Sequence, residues 1–276
     1  MVRSNEEGAM NADAVLQAVC AECVPLIRAM ARGRYAISLG GSRGKKVADG
    51  RSDIDFRLFC DEAVGIPYTD SSPTWAPFVA AVERWRTQGV NIDYVWVRTV
   101  ADIDAQLDAW LGSDIPRVDY VWTVWGYHVL TDIANQAIIE DADGLIARWH
   151  ARLFPYPAAL KAKLVAKYAE SLRYWRDDYH YRHKVQRGDA VFLASITARL
   201  INDIMQVLCA LNALYYVGDG NNLVFAQKFT ITPPNLAARV TQALYPGAGG
   251  ESYMQQYLAV CALIDDVLVL IPPDAA

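Results

Sequence analysis

The sequence predicts an α+β chain in two parts: a mixed sheet with flanking helices over residues 1–150, then an all-α bundle over 151–276. Three observations carry this. Tyr35–Leu39, Asp53–Cys60 and Val90–Val97 are short apolar runs with strand character, set among helical repeats. Beyond about residue 145 the strand patterning fades and long segments of helical period take over. The chain has 276 residues, 53% of them hydrophobic, enough to bury the core of one large or two ordinary domains.

In order along the chain, Ala12–Ala31 carries apolar residues at Val15, Leu16, Val19, Cys23, Leu26, Ile27 and Met30, a helical repeat that Gly33 stops. Tyr35–Leu39 reads as a buried strand and Gly40–Gly44 as a tight turn. In the strand Asp53–Cys60, Ile54, Phe56, Leu58 and Cys60 share one face, and Asp53, Asp55 and Arg57 the other. Asp61–Pro73 is a loop of turn formers, Trp75–Gln88 a helix ended by Gly89. In Val90–Val97, alternation puts Asp93 with Val95 and Val97, a lone carboxylate on an apolar face, which is costly unless paired with an Arg or bound to a metal. Val100–Leu111 and Tyr120–Leu130 read as helices, and Ala137–Glu140 as a short strand before the turn at Asp141–Gly144.

The second part reads as helices over Leu145–Phe154, Ala158–His183, Asp189–Tyr215 and Tyr253–Ile271, with a short one opened by Pro233-Pro234 and a loop at Gly218–Asn222. A stripe of Tyr168, Leu172, Trp175 and Tyr179 is expected in the core. His180 and His183 lack a third ligand and read as a solvated helix end.

Composition removes several function classes. The net charge of −5, without a basic run, argues against a DNA or RNA polymer as substrate. The five cysteines are scattered, and Cys20–Cys23, though spaced C-x-x-C, falls within a helical pattern with no second pair, so zinc and redox chemistry are not expected. The polar, acidic first ten residues do not read as a signal peptide. No apolar stretch is read as a membrane span of roughly 18 residues, and a cytoplasmic location is expected.

The chemistry concentrates in one segment. Gly41-Ser42 is followed by ten residues and then Asp53-Ile54-Asp55. Strand geometry points Asp53 and Asp55 to the same side, beside a glycine-rich loop of phosphate size. Two converging carboxylates near a triphosphate suit Mg²⁺, which takes one or two carboxylates together with phosphate oxygens. Four fixed positions fall this way in about one random chain in a few hundred.

This segment resembles the signature G-S-x10-D-x-D of the nucleotidyltransferase superfamily that includes the aminoglycoside and lincosamide nucleotidyltransferases, matching at Gly41, Ser42, Asp53 and Asp55. The resemblance implies a nucleotidyltransferase-type sheet and a third acid on a later strand, the place of Asp93. It implies that Asp53, Asp55 and Asp93 bind two Mg²⁺ ions, with Asp93 also the general base. Gly41, Ser42, Arg43 and Ser52 are then expected at the nucleotide, while Lys45 and Lys46 read as solvated loop charges. Arg57 shares the acidic face and either neutralises the site or braces a carboxylate. In the helical part, Asp189 and Arg199 resemble the acceptor-binding Asp and triphosphate-binding Arg of the streptomycin/spectinomycin adenylyltransferases; a helix N-cap is the other reading of Asp189. Leu211-Asn212-Ala-Leu-Tyr215 resembles an L-N-x-x-Y segment of related nucleotidyltransferase-like proteins, but the lysine expected in the next loop is missing unless Lys228 supplies it.

The expected activity is transfer of a nucleoside monophosphate, AMP from ATP, to a hydroxyl of a small acceptor such as an aminoglycoside-like antibiotic, releasing pyrophosphate. Nucleotidylation of a protein or tRNA, as in toxin–antitoxin pairs, and a degenerate nucleotide-binding regulatory module are the alternatives. The sequence leaves both a monomer and a homodimer open.

Overall fold

The structure, a computed structural model, describes residues 12–65, 72–115, 129–218, 220, 222–247 and 250–273. It is α+β. Contacts group it into two compact units, residues 1–107 with 132–152, and residues 108–131 with 153–276.

The first unit is built on a four-stranded mixed sheet of order β3-β2-β1-β4: β1 (Ala31–Leu39), β2 (Ile54–Ala63), β3 (Ile92–Thr99) and β4 (Ala137–Glu140). β1 runs antiparallel to β2 and β4, and β2 parallel to β3. One end of the sheet therefore collects the C-terminus of β1 and the N-termini of the other three strands. The loop after β1, the acids opening β2 and β3, and the segment entering β4 all arrive there.

Helices α1 (Ala12–Arg28) and α3 (Ala76–Thr87) cover one face, where Val19, Cys23, Ile27, Phe78, Val82 and Trp85 pack against Ile54, Phe56 and Leu58. Burying this apolar surface supplies the main driving force for the unit. Both C-x-x-C cysteines lie on α1, Cys23 buried in this core. On the opposite face β2 changes character with depth: Asp55, then Arg57, then Phe59, which meets Trp149 edge-on at 5.1 Å. Trp149 comes from α6 (Leu145–Leu153), which the one-turn helix α2 (Gly41–Gly44), α4 (Val100–Leu111) and α5 (Val129–Ala134) precede. Of the helix expected over Tyr120–Leu130, residues 120–128 lie outside the described residues.

The second unit contains α7 (Ala158–Asp177), α8 (Tyr179–Arg187), α9 (Ala190–Leu211), α10 (Asn222–Phe225), α11 (Leu236–Leu244) and α12 (Gly250–Val269). The single helix expected over Ala158–His183 is broken. Asp178 takes an extended conformation and caps α8, its carboxylate accepting from the Tyr181 backbone N–H at 3.0 Å. That break ends the expected core stripe early: Leu172 is buried but Tyr179 is 63% exposed. His180 and His183 are exposed, as a solvated helix end requires. α9 is 22 residues long and apolar enough to cross a membrane by length and composition, contrary to the sequence reading; most of it is buried in this unit, as in a core helix.

Candidate active site

The ladder between β2 and β3 contains the decisive irregularity. Ile54 pairs with Ile92 and Phe56 with Val95, so two steps on β2 match three on β3. The extra residue is absorbed at Tyr94, whose φ of 43° is left-handed. Such a bulge resets the alternation. Val95 enters the core beside Ile92, while Asp93 turns out on the other face and is exposed. This corrects the expectation of a carboxylate sharing an apolar face with Val95: the backbone removes the conflict, and a bulky residue carries the strained conformation.

Asp93 joins Asp53 and Asp55. One carboxylate oxygen from each lies within 4.8 Å of the others. Oxygens around a shared Mg²⁺ are at most about 4.2 Å apart, given Mg–O distances near 2.1 Å, so a small contraction closes the cluster on an ion. Asp55 is the deepest, 9% exposed. Burial pushes its carboxyl up to about 6; Arg57 opposes that shift, and the charges of Asp53, Asp93 and Asp132 add to it. A cation would relieve this accumulated repulsion.

The loop after β1 lies directly against these acids. The Gly40 N–H donates to the Asp55 carbonyl at 2.9 Å. Gly41 has a φ of +54°, and a Cβ there would stand 1.9 Å from Asp55 Oδ2, so only glycine lets the backbone approach this closely. Ser42 Oγ is buried and without a hydrogen-bond partner, an orphaned hydroxyl that a phosphate oxygen would satisfy. Arg43, expected at the nucleotide, donates through its Nε to the Asp53 carbonyl at 3.1 Å, tying the loop to the start of β2. Ser52 closes a turn with Asp49, donating to its carboxylate at 3.1 Å and accepting from its N–H at 2.9 Å. Lys45, expected in solvent, is 6% exposed, whereas Lys46 is exposed.

Asp132, on α5, was not anticipated. Its two carboxylate oxygens accept from Arg57 Nε at 3.2 and 3.3 Å. Arg57 and Asp132 are 6% and 7% exposed, and the guanidinium also stands 4.8 Å from the centre of the Trp96 ring. Periodicity gave no signal for Asp132, because its partner lies 75 residues away.

Asp189 and Arg199 belong to the helical unit. Asp189 is the N-cap of α9, accepting from the Phe192 N–H at 3.3 Å, and also accepts from Lys184 Nζ at 2.9 Å. Arg199 is exposed on α9 and near enough to Asp203 to act on its charge. The L-N-x-x-Y segment is a structural pin. Asn212 holds residues Thr230 and Ile231 through their backbone, and the Tyr215 hydroxyl donates to the Leu153 carbonyl at 2.8 Å. Lys228 Nζ stands 4.6 Å from the centre of the Phe225 ring. This unit also holds a mostly apolar recess of about 470 Å³, bordered by Ile201, Asn202, Met205, Tyr216 and Val240. That volume falls within the usual range for small-ligand sites, roughly 300–1,000 Å³.

Residues 122–219 match the family described as a domain of unknown function, DUF4037. None of the curated proteins matches the chain. The matched span holds Asp132, Asp189 and Arg199, and leaves Asp53, Asp55 and Asp93 outside it.

Proposed function

We propose that the chain is a metal-dependent nucleotidyltransferase, moving AMP from ATP to a hydroxyl of a small acceptor, with an aminoglycoside-like antibiotic as the acceptor class the resemblance suggests. The observation that carries this reading is the convergence of Asp53, Asp55 and Asp93 beside a glycine loop with an unpartnered Ser42 hydroxyl. Two Mg²⁺ ions, when bound, supply charge neutralisation for the triphosphate and acidify the acceptor hydroxyl.

The chain's own residues do the rest. Asp53 and Asp55 are the ligands set deepest in the fold. Gly41 keeps space between the loop and Asp55, and Ser42 donates to a phosphate oxygen. Asp93, the most exposed of the three acids, takes the proton of the acceptor hydroxyl. The acceptor oxygen then forms its bond to the α-phosphorus. The bond from that phosphorus to the α–β bridging oxygen breaks, and pyrophosphate leaves with the electron pair.

Incubation with ATP, Mg²⁺ and, in turn, a panel of hydroxylated small molecules, protein and RNA tests the proposal. Pyrophosphate release that depends on one of them supports it. Label transferred only to protein or RNA would replace the small acceptor with a polymer, and ATP binding without turnover against all three would make the chain a nucleotide-binding module.

A further inference from the structure

We infer that Asp132 is a positioning residue for the carboxylate cluster, acting through Arg57 to keep the Asp55 oxygens available to a divalent cation. The inference rests on the reading of Asp53, Asp55 and Asp93 as a cation site. Arg57 is two residues from Asp55 on the same strand face, so the guanidinium is a built-in competitor for the carboxylate that a cation needs. In the structure it does not win. Its Nη1 stands 3.9 Å from Asp55 Oδ1, an ion-pair distance too long for a hydrogen bond, while Nε is bonded to both oxygens of Asp132 at 3.2 and 3.3 Å.

Several contacts hold the guanidinium in that place. Nη1 donates to the Phe56 carbonyl at 3.3 Å, and the face of Trp96 lies 4.8 Å away. Gly40 leaves room above it, since a Cβ there would stand 2.7 Å from Arg57 Cζ. Held by the Asp132 carboxylate, the guanidinium keeps its charge near Asp55 without a hydrogen bond to the Asp55 oxygens. With an amide in place of that carboxylate, as in Asp132→Asn, Asp55 remains as an anion already at ion-pair distance from the guanidinium. A shift of about 1 Å brings the two into a charge-assisted hydrogen bond that a cation must break.

Mn²⁺ titration of the full chain, followed by calorimetry, tests this without turnover. Asp132→Asn should weaken Mn²⁺ binding about tenfold or more, although Asp132 is no ligand. Asp132→Glu, which keeps the charge, should stay within about threefold of the wild type. Removing the competitor as well, in Arg57→Met/Asp132→Asn, should recover most of the affinity, whereas a merely structural pair would leave the double variant as weak as the single. Unchanged affinity in Asp132→Asn, or no recovery in the double variant, overturns the inference. Should Asp132→Asn fail to fold, Arg57→Met decides: affinity at or above wild type supports the inference, and a tenfold fall overturns it. Absence of Mn²⁺ binding by the wild type overturns the cation reading itself, and this inference with it.

Discussion

In the sheet unit Asp55, Arg57 and Asp132 form a buried chain of charges, each less than a tenth exposed. In the helical unit the ion pairs Arg176–Asp265, Arg239–Asp266 and Lys184–Asp189 stand at the surface. Exposed pairs of that kind contribute about 0–1 kcal/mol each. Buried charges repay their desolvation cost only where pair geometry is good and further hydrogen bonds satisfy the remaining polar atoms. Among the described residues of the helical unit, the comparable group is Asp203, buried too, but it accepts a hydrogen bond from Ser171 Oγ at 2.7 Å and lies near Arg199 and Lys167. Burial raises its carboxyl as it does that of Asp55, but its neighbours are a hydroxyl donor and two cations, whereas Asp53, Asp93 and Asp132 add negative charge around Asp55. On the proposed reading, the acidic cluster at the sheet end is a place kept for a ligand, and the paired charges of the helical unit serve stability.

The largest expected effect falls on the acids. Asp53→Ala or Asp55→Ala should lower nucleotide transfer at least about a thousandfold while the protein stays folded. The helical unit should answer its own loss in the opposite manner: Asp203→Ala should cost stability, about 1–3 kcal/mol by denaturant unfolding, because Ser171 loses its buried partner. Loss of folding in the Asp55 variant with unchanged stability in the Asp203 variant would reverse the comparison.

Gly41→Ala comes next. Its Cβ collides with Asp55, and the left-handed backbone costs about a further 1–2 kcal/mol. Both activity and thermal stability should fall, and a variant matching the wild type in Mn²⁺ affinity would contradict the close approach drawn for the loop.

The Asp55 carboxyl gives a pH signature. Its folded value of about 6 lies above the ordinary carboxyl value of 3.8, so the folded state holds the proton more tightly than the unfolded state. Stability of the metal-free protein contributed by this group is therefore full below about pH 4 and is lost as pH rises through about 6. Cation affinity runs the other way, falling about tenfold per pH unit below about 6. Asp55→Asn should remove this stability dependence near pH 6 and raise the metal-free melting temperature at neutral pH, measured by scanning calorimetry.

Smaller effects separate positions whose backbone matters from those whose side chain matters. At Tyr94, glycine should preserve the bulge and the Mn²⁺ affinity, while valine, which resists positive φ, should straighten β3 and weaken cation binding severalfold. Asp189→Ala should cost about 1 kcal/mol as a lost helix cap. If the resemblance extends to that residue, the acceptor KM should rise as well; an unchanged KM would confine Asp189 to capping.

The elements of the sheet unit were legible because its strands are short, apolar and alternating, and because the Gly41-Ser42 and Asp53–Asp55 spacing sits between two of them. The resemblance implies a third acid on a later strand, the place of Asp93, but the strand pattern sets that residue on the wrong face. Strict alternation placed it against Val95, and only the bulge at Tyr94, which a tyrosine gives no cause to expect, sets them on opposite faces. Asp132 was invisible because a pairing across 75 residues leaves no local pattern. In the helical unit the break at Asp178 hid inside a continuous apolar repeat, and the N-cap reading of Asp189 competed with a functional one at the same residue. Helical periodicity reports which face is buried; it does not report what an exposed face is for.

Acceptor-dependent pyrophosphate release, compared between the wild type and Asp55→Asn at saturating ATP and Mg²⁺, tests the central claim most directly. The account predicts turnover in the wild type, its loss on chelation of the metal, and at least about a thousandfold less in Asp55→Asn, with ordered folding in both proteins. Equal turnover in the two, or turnover that persists in excess chelator, would contradict it.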